Sequence, residues 1–139
     1  SVPMPFNTLL WRVVAMTPSG YVVGDRSLLA DSGPMQFEGH ASNVQALREA
    51  AHVPAVQRLQ WFNRGFMRAQ VVDGTLVLSD LRMGLEPDYT FNFAVARQAD
   101  GQWQPIVPEQ RRTDYSSPQA RAAMKGRLAM MWQRIWHTP

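Results

Sequence analysis

Two apolar, strand-like runs, Gly65 to Val72 and Thr75 to Met83, are separated by only two residues, Asp73 and Gly74. A two-residue turn of type I′ requires positive φ at both central positions, and Asp-Gly is among the few pairs that tolerate it. The dipeptide therefore sets a β-hairpin and its register together. Val71 stands opposite Leu76, Ala69 opposite Leu78, and Met67 opposite Asp80. Since side chains alternate across a strand, Asp80 and Arg82 extend the apolar face begun by Leu76 and Leu78, about 7 Å apart along the chain.

The same logic organises the rest. Thr8 to Met16 and Tyr21 to Leu29 flank Thr17-Pro-Ser-Gly20, which predicts a hairpin with a four-residue loop and places Arg12 opposite Asp25. Asp31-Ser-Gly-Pro34 interrupts the pattern, and Met35 to Glu38 is short enough for one extra strand. Asn43 suits the N-cap of a helix through Val44, Leu47 and Ala51, and Pro54 suits the first turn of a second. That second helix would turn Val56, Leu59 and Phe62 inward. Tyr89 to Val95 alternates as a half-buried strand does, and Trp103 falls in an edge strand ended by Pro105 and Pro108. Glu109 to Ser117 is polar and loop-like. From Pro118 onward Met124, Leu128, Met131 and Ile135 form one helical stripe with Trp132 and Trp136 beside it, the width of a core-facing helix.

The expected fold is α+β: a single antiparallel sheet of five or six strands, an inserted helical pair, and a C-terminal helix packed on it. Residues 1–7 read as a linker and residues 8–137 as one domain. A chain of 139 residues with 45% hydrophobic and 18% charged side chains can build one core without staples. It has no cysteine, which excludes a disulfide framework and any thiolate metal site. No apolar run approaches the roughly 18 residues of a membrane span.

Charge inside apolar runs is costly unless paired or used, so it marks the candidate site. Three stretches show it: Phe6-Asn-Thr-Leu-Leu-Trp-Arg12, Trp61-Phe-Asn-Arg-Gly-Phe66 and Ser79-Asp-Leu-Arg-Met-Gly84. Arg12 with Asp25, and Asp80 with Arg82, are candidate bidentate pairs. If both lie on one sheet they can converge on a small polar or anionic ligand, joined by Arg64; they can equally be separate structural bridges. Asp80 and Glu86 are the candidates for acid-base carboxylates. His40, His52 and His137 match no metal-ligand spacing and belong to loops or element ends, which predicts no metal or other cofactor bound by this chain. Ser79 lacks a candidate base and is a poor nucleophile. A net charge of +3 with no recognised module pattern argues against nucleic acid as a partner.

These motifs, with Pro87 and Tyr89, resemble the C-terminal soluble region of the YdjM-like family, LexA-regulated bacterial inner-membrane proteins predicted to be metal-dependent hydrolases. The resemblance covers nearly the whole chain. It implies an accessory domain, itself not catalytic, tethered to the inner membrane and partnered by the membrane region of the same polypeptide. Histidines and acids of that membrane region would hold any metal, and the side of the membrane is left open. Two other functions stay in view: a domain lending substrate-binding or acid-base carboxylates to the hydrolase, and a structural or oligomerisation module.

Overall fold

The computed structural model describes residues 2–3, 9–112 and 118–137. Its elements run β1 (Val2–Pro3), β2 (Leu10–Thr17), β3 (Gly20–Ser27), β4 (Glu38–Ala41), α1 (Val44–Glu49), α2 (Pro54–Asn63), β5 (Met67–Val72) and β6 (Thr75–Asp80). There follow β7 (Gly84–Leu85), β8 (Asp88–Tyr89), β9 (Asn92–Ala99), β10 (Gln102–Gln110) and α3 (Pro118–Trp136). The strands form two four-stranded sheets, ordered β1-β2-β3-β4 and β10-β9-β6-β5, and a two-stranded sheet, β7-β8. The class is α+β, with antiparallel pairing in β1–β2, β5–β6, β6–β9, β9–β10 and β7–β8. Patterning had suggested one sheet. The strands that precede the helical pair in the chain and those that follow it instead form separate sheets, because local turn chemistry specifies hairpins and is silent on how hairpins join.

Of the linker expected at 1–7, Val2 pairs with Arg12 and Pro3 with Trp11, while residues 4–8, including Phe6, Asn7 and Thr8 of the first motif, lie outside the described residues. The described residues belong to two compact units. One takes them from Ser1–Val14, Val23–Glu38 and Asp114–Pro139, the other from Ala15–Val22 and Gly39–Thr113.

In the second unit the Asp73-Gly74 turn has the positive φ values its type demands, 49° and 70°, and the register is the expected one, Met67 opposite Asp80 through Val72 opposite Thr75. Asn43 caps α1 by accepting from the Ala46 amide at 3.0 Å, a contact worth about 1 kcal/mol. Pro54 opens α2, and Arg64 closes it in the left-handed region at φ 54°. The core between these helices and the larger sheet joins Ala46, Ala50, Val53, Ala55 and Val56 to Met67, Ala69, Leu76, Leu78, Val95, Ala96 and Trp103. Leu59 packs against it, but Phe62 does not: it lies exposed near the end of the helix. The prolines of β10 do not end that strand. It continues to Gln110 through a register shift between Pro105 and Glu109, which is tolerated because β10 is a sheet edge.

In the first unit the last turn of α3 is bonded to β3 and to the segment that follows it. Ile135 is buried, its carbonyl accepts from the Ser27 hydroxyl, and Arg134 bonds Asp31. The core-facing role expected of the stripe is realised only in part: Met131 is half-buried, while Met124 and Leu128, and Trp132 and Trp136 beside them, are exposed. Periodicity shows that a helix is two-sided; it does not supply the surface that covers it. No helix among the described residues is long and apolar enough to cross a membrane.

Candidate functional site

Both predicted ion pairs form, on different sheets. In the first unit, Arg12 of β2 donates from Nε to Asp25 Oδ1 at 3.0 Å and from its second amino group to Oδ2 at 3.3 Å. The hairpin turn between β2 and β3 has two residues, Pro18 and Ser19, where four were expected. Thr17 and Gly20 simply join the strands, so the register, and with it the opposition of Arg12 to Asp25, is unchanged. Arg134 donates to the Asp25 carbonyl at 3.0 Å and to Asp31 Oδ1 at 2.8 Å. The Arg134 hydrogen bond is the main reason the Asp31 carboxyl titrates below its ordinary value.

In the second unit the chain turns after Asp80, so Arg82 does not continue the strand face. It folds back instead. Asp80 Oδ1 accepts from the Arg82 amide at 2.9 Å and its Nε at 3.0 Å, and Oδ2 accepts from the guanidinium at 2.7 Å. That fork also holds Arg82 more firmly protonated than a free arginine. Its guanidinium carbon stands 5.1 Å from the centroid of the Phe62 ring. Neighbouring Ser79 donates its hydroxyl to Asn92 Oδ1 at 2.6 Å, which fixes it as a structural group.

Glu86 joins a different cluster, one whose members Arg68 and Tyr21 sequence reasoning missed. Arg68 of β5 donates to Glu86 Oε1 at 2.9 Å and to the Pro87 carbonyl at 3.1 Å, and its guanidinium carbon lies 5.1 Å from the Tyr89 ring centroid. Tyr21 donates to Glu86 Oε2 at 2.5 Å and stacks on His40 at 5.3 Å. Of the three histidines expected in loops or at element ends, His52 and His137 are so placed, whereas His40 sits within β4. Gly84, at φ 124°, lets the β7–β8 ribbon close on Tyr89, since a Cβ there would meet Tyr89 Cα at 2.8 Å. Burial, then the Glu86 hydrogen bond, pushes the Tyr21 phenol up to about 12, and burial pushes Tyr89 higher still. The Tyr89 hydroxyl and Arg68 Nε are buried without a hydrogen-bond partner. Arg64, expected to join one of the pairs, joins neither and is exposed at the C-cap of α2. The available signal for the cluster was Arg68 itself, a charge in a strand-like run; its partners come from distant segments.

The chemistry of these groups is that of paired charges. Both oxygens of Asp80 and both of Glu86 accept hydrogen bonds from side chains of the fold. Among the described residues no three of His, Cys, Asp and Glu are grouped to hold a metal. What the Asp80–Arg82 pair does position is a surface. The Phe62 ring under Arg82 is 62% exposed; its chain neighbour Trp61 is 83% exposed and Met83, next to Arg82 in the chain, 52%, while exposed Arg58 lies midway along α2 and exposed Arg64 at its C-cap. No protein-family model, curated protein or solved structure matches the chain.

Proposed function

We propose that this chain is a protein-binding accessory domain with no catalysis of its own, serving a membrane-bound metal-dependent hydrolase of the kind its motifs resemble. The observation that carries the binding role is the exposed Trp61–Phe62–Met83 patch, with Arg82 forked to Asp80 and stacked on Phe62. Tryptophan, arginine and methionine are the residues enriched where binding energy concentrates, and a side chain already fixed in place loses less entropy on association. Arg58 and Arg64 select a partner surface that is apolar at its centre and carboxylate-bearing at its rim. In this reading the partner is the membrane region of the same polypeptide. The saturation of Asp80 and Glu86 supports the non-catalytic half.

The test is a photo-crosslinking residue in place of Trp61 in the full-length parent, together with the Trp61→Ala/Phe62→Ala variant. The expected result is a crosslink mapping to the membrane region and loss of parent activity in the variant. The isolated domain's melting temperature should stay unchanged, since both rings are exposed. Full activity in the variant would overturn the reading. Loss of activity in Glu86→Gln or Asp80→Asn, with stability kept, would transfer the role to the carboxylates.

A further inference from the structure

We propose that the outer edge of the Arg82 guanidinium is a binding site for one carboxylate, an aspartate or glutamate side chain of the partner. The inference rests on the binding role given above to this patch, and it names the group the partner brings there. A guanidinium carries five N–H groups along two edges that each match a carboxylate, one formed by Nε and an amino group, the other by both amino groups. Asp80 takes the first edge through Nε and Nη2. Its side chain is 8% exposed and also accepts from the Arg82 amide, so the fork is fixed from the buried side. The second edge keeps both hydrogens of Nη1 and one of Nη2, and no protein group among the described residues takes them. Nor is that edge shut away. The buried side-chain polar atoms without a partner among the described residues are Arg68 Nε and Tyr89 Oη, so Nη1 of the 36% exposed Arg82 side chain is open to solvent.

Geometry and charge select the occupant. The Phe62 ring lies against the guanidinium, 5.1 Å from its central carbon, which favours approach in the guanidinium plane. A planar carboxylate needs that direction to accept two parallel hydrogen bonds. Asp80 already offsets the charge of Arg82, so one further monoanion leaves the trio with a single negative charge. A phosphate monoester of about two charges would leave it nearly twice as negative. Exposed Arg58 and Arg64 on α2 add a positive field that one carboxylate answers. The exposed Phe62 ring then takes the apolar carbons beside that carboxylate, which an inorganic anion lacks.

The experiment is a magnetic-resonance titration of the intact chain with phenylacetate, followed at the Arg82 guanidinium and the Met83 amide, with phenylacetamide and phenyl phosphate as comparison probes. A saturable shift is expected with phenylacetate, none with the amide, and weaker binding with the phosphate. Arg82→Lys keeps the charge and loses the second edge, so binding should fall about tenfold while the melting temperature stays near the parent's. Phe62→Ala, at an exposed ring, should fold as the parent does and also bind more weakly. No saturable shift, an equal response to the amide, tighter binding of phenyl phosphate, or undiminished binding by both variants would overturn the proposal. The Trp61 crosslink described above reads the other claim separately. Phenylacetate binding without a crosslink to the membrane region upholds the carboxylate site and sinks the choice of partner; a crosslink without phenylacetate binding does the reverse.

Discussion

A charged side chain in a strand can be held by a neighbour or by something far along the chain, and this protein uses both. Arg68 belongs to the second kind: it is buried, and its partner Glu86 is eighteen residues on. Arg68→Ala would strand a carboxylate and is expected to destabilise the fold by about 3–5 kcal/mol in denaturant melts, while Arg64→Ala at the exposed cap should stay within roughly 0.5 kcal/mol. Asp31 gives a pH signature. Its folded carboxyl titrates below the ordinary 3.8, so its contribution is complete above the unfolded value and fades as pH falls through the folded one. Stability of Asp31→Asn should therefore trail the parent at neutral pH and converge with it in acid. Tyr21 has the opposite sense. Its neutral form is favoured in the fold, so the stabilisation is intact below pH 10 and is lost as pH rises toward about 12; ultraviolet titration should show its ionisation coinciding with alkaline unfolding. Arg12–Asp25 and Asp80–Arg82 were legible because hairpin register or sequence adjacency places each pair. Tyr21, 65 residues from Glu86, was not, because no local rule connects them.

At the scale of elements, what the sequence made plain was whatever a turn or cap decides locally. The Asp73-Gly74 hairpin, the Asn43 cap and the Pro54 start all follow from backbone needs that few residue types meet. Division of the strands between two sheets, and the exposure of Phe62 and of most of α3, depend on long-range packing and were not legible. The contrast yields a direct test. Leu78, in the larger sheet's core, should cost about 2–5 kcal/mol as Leu78→Ala. Leu128 sits at an equally apolar point of a helical stripe and is exposed, so Leu128→Ala should change stability by no more than about 0.5 kcal/mol. Equal costs in chemical denaturation would mean that α3 is covered in solution.

Across the whole molecule, the two units are built differently. The second gathers its core from one nearly continuous stretch, with β5, β6 and β9 ordered through short connections. Amides of β6, paired on both sides, should be the last to exchange in native-state hydrogen exchange. The first unit draws on three separated stretches, and the one buried side chain of its helix, Ile135, lies in the last turn. That difference has a consequence for proteolysis. A helical stretch with little packing opens readily, and exposed Lys125 puts a tryptic site near the middle of α3, whereas Arg134 is bonded to Asp31. Brief digestion should cut after Lys125 before any bond in β5, β6 or β9, and the rate of that cut would read out how readily the helix opens while the strands stay closed.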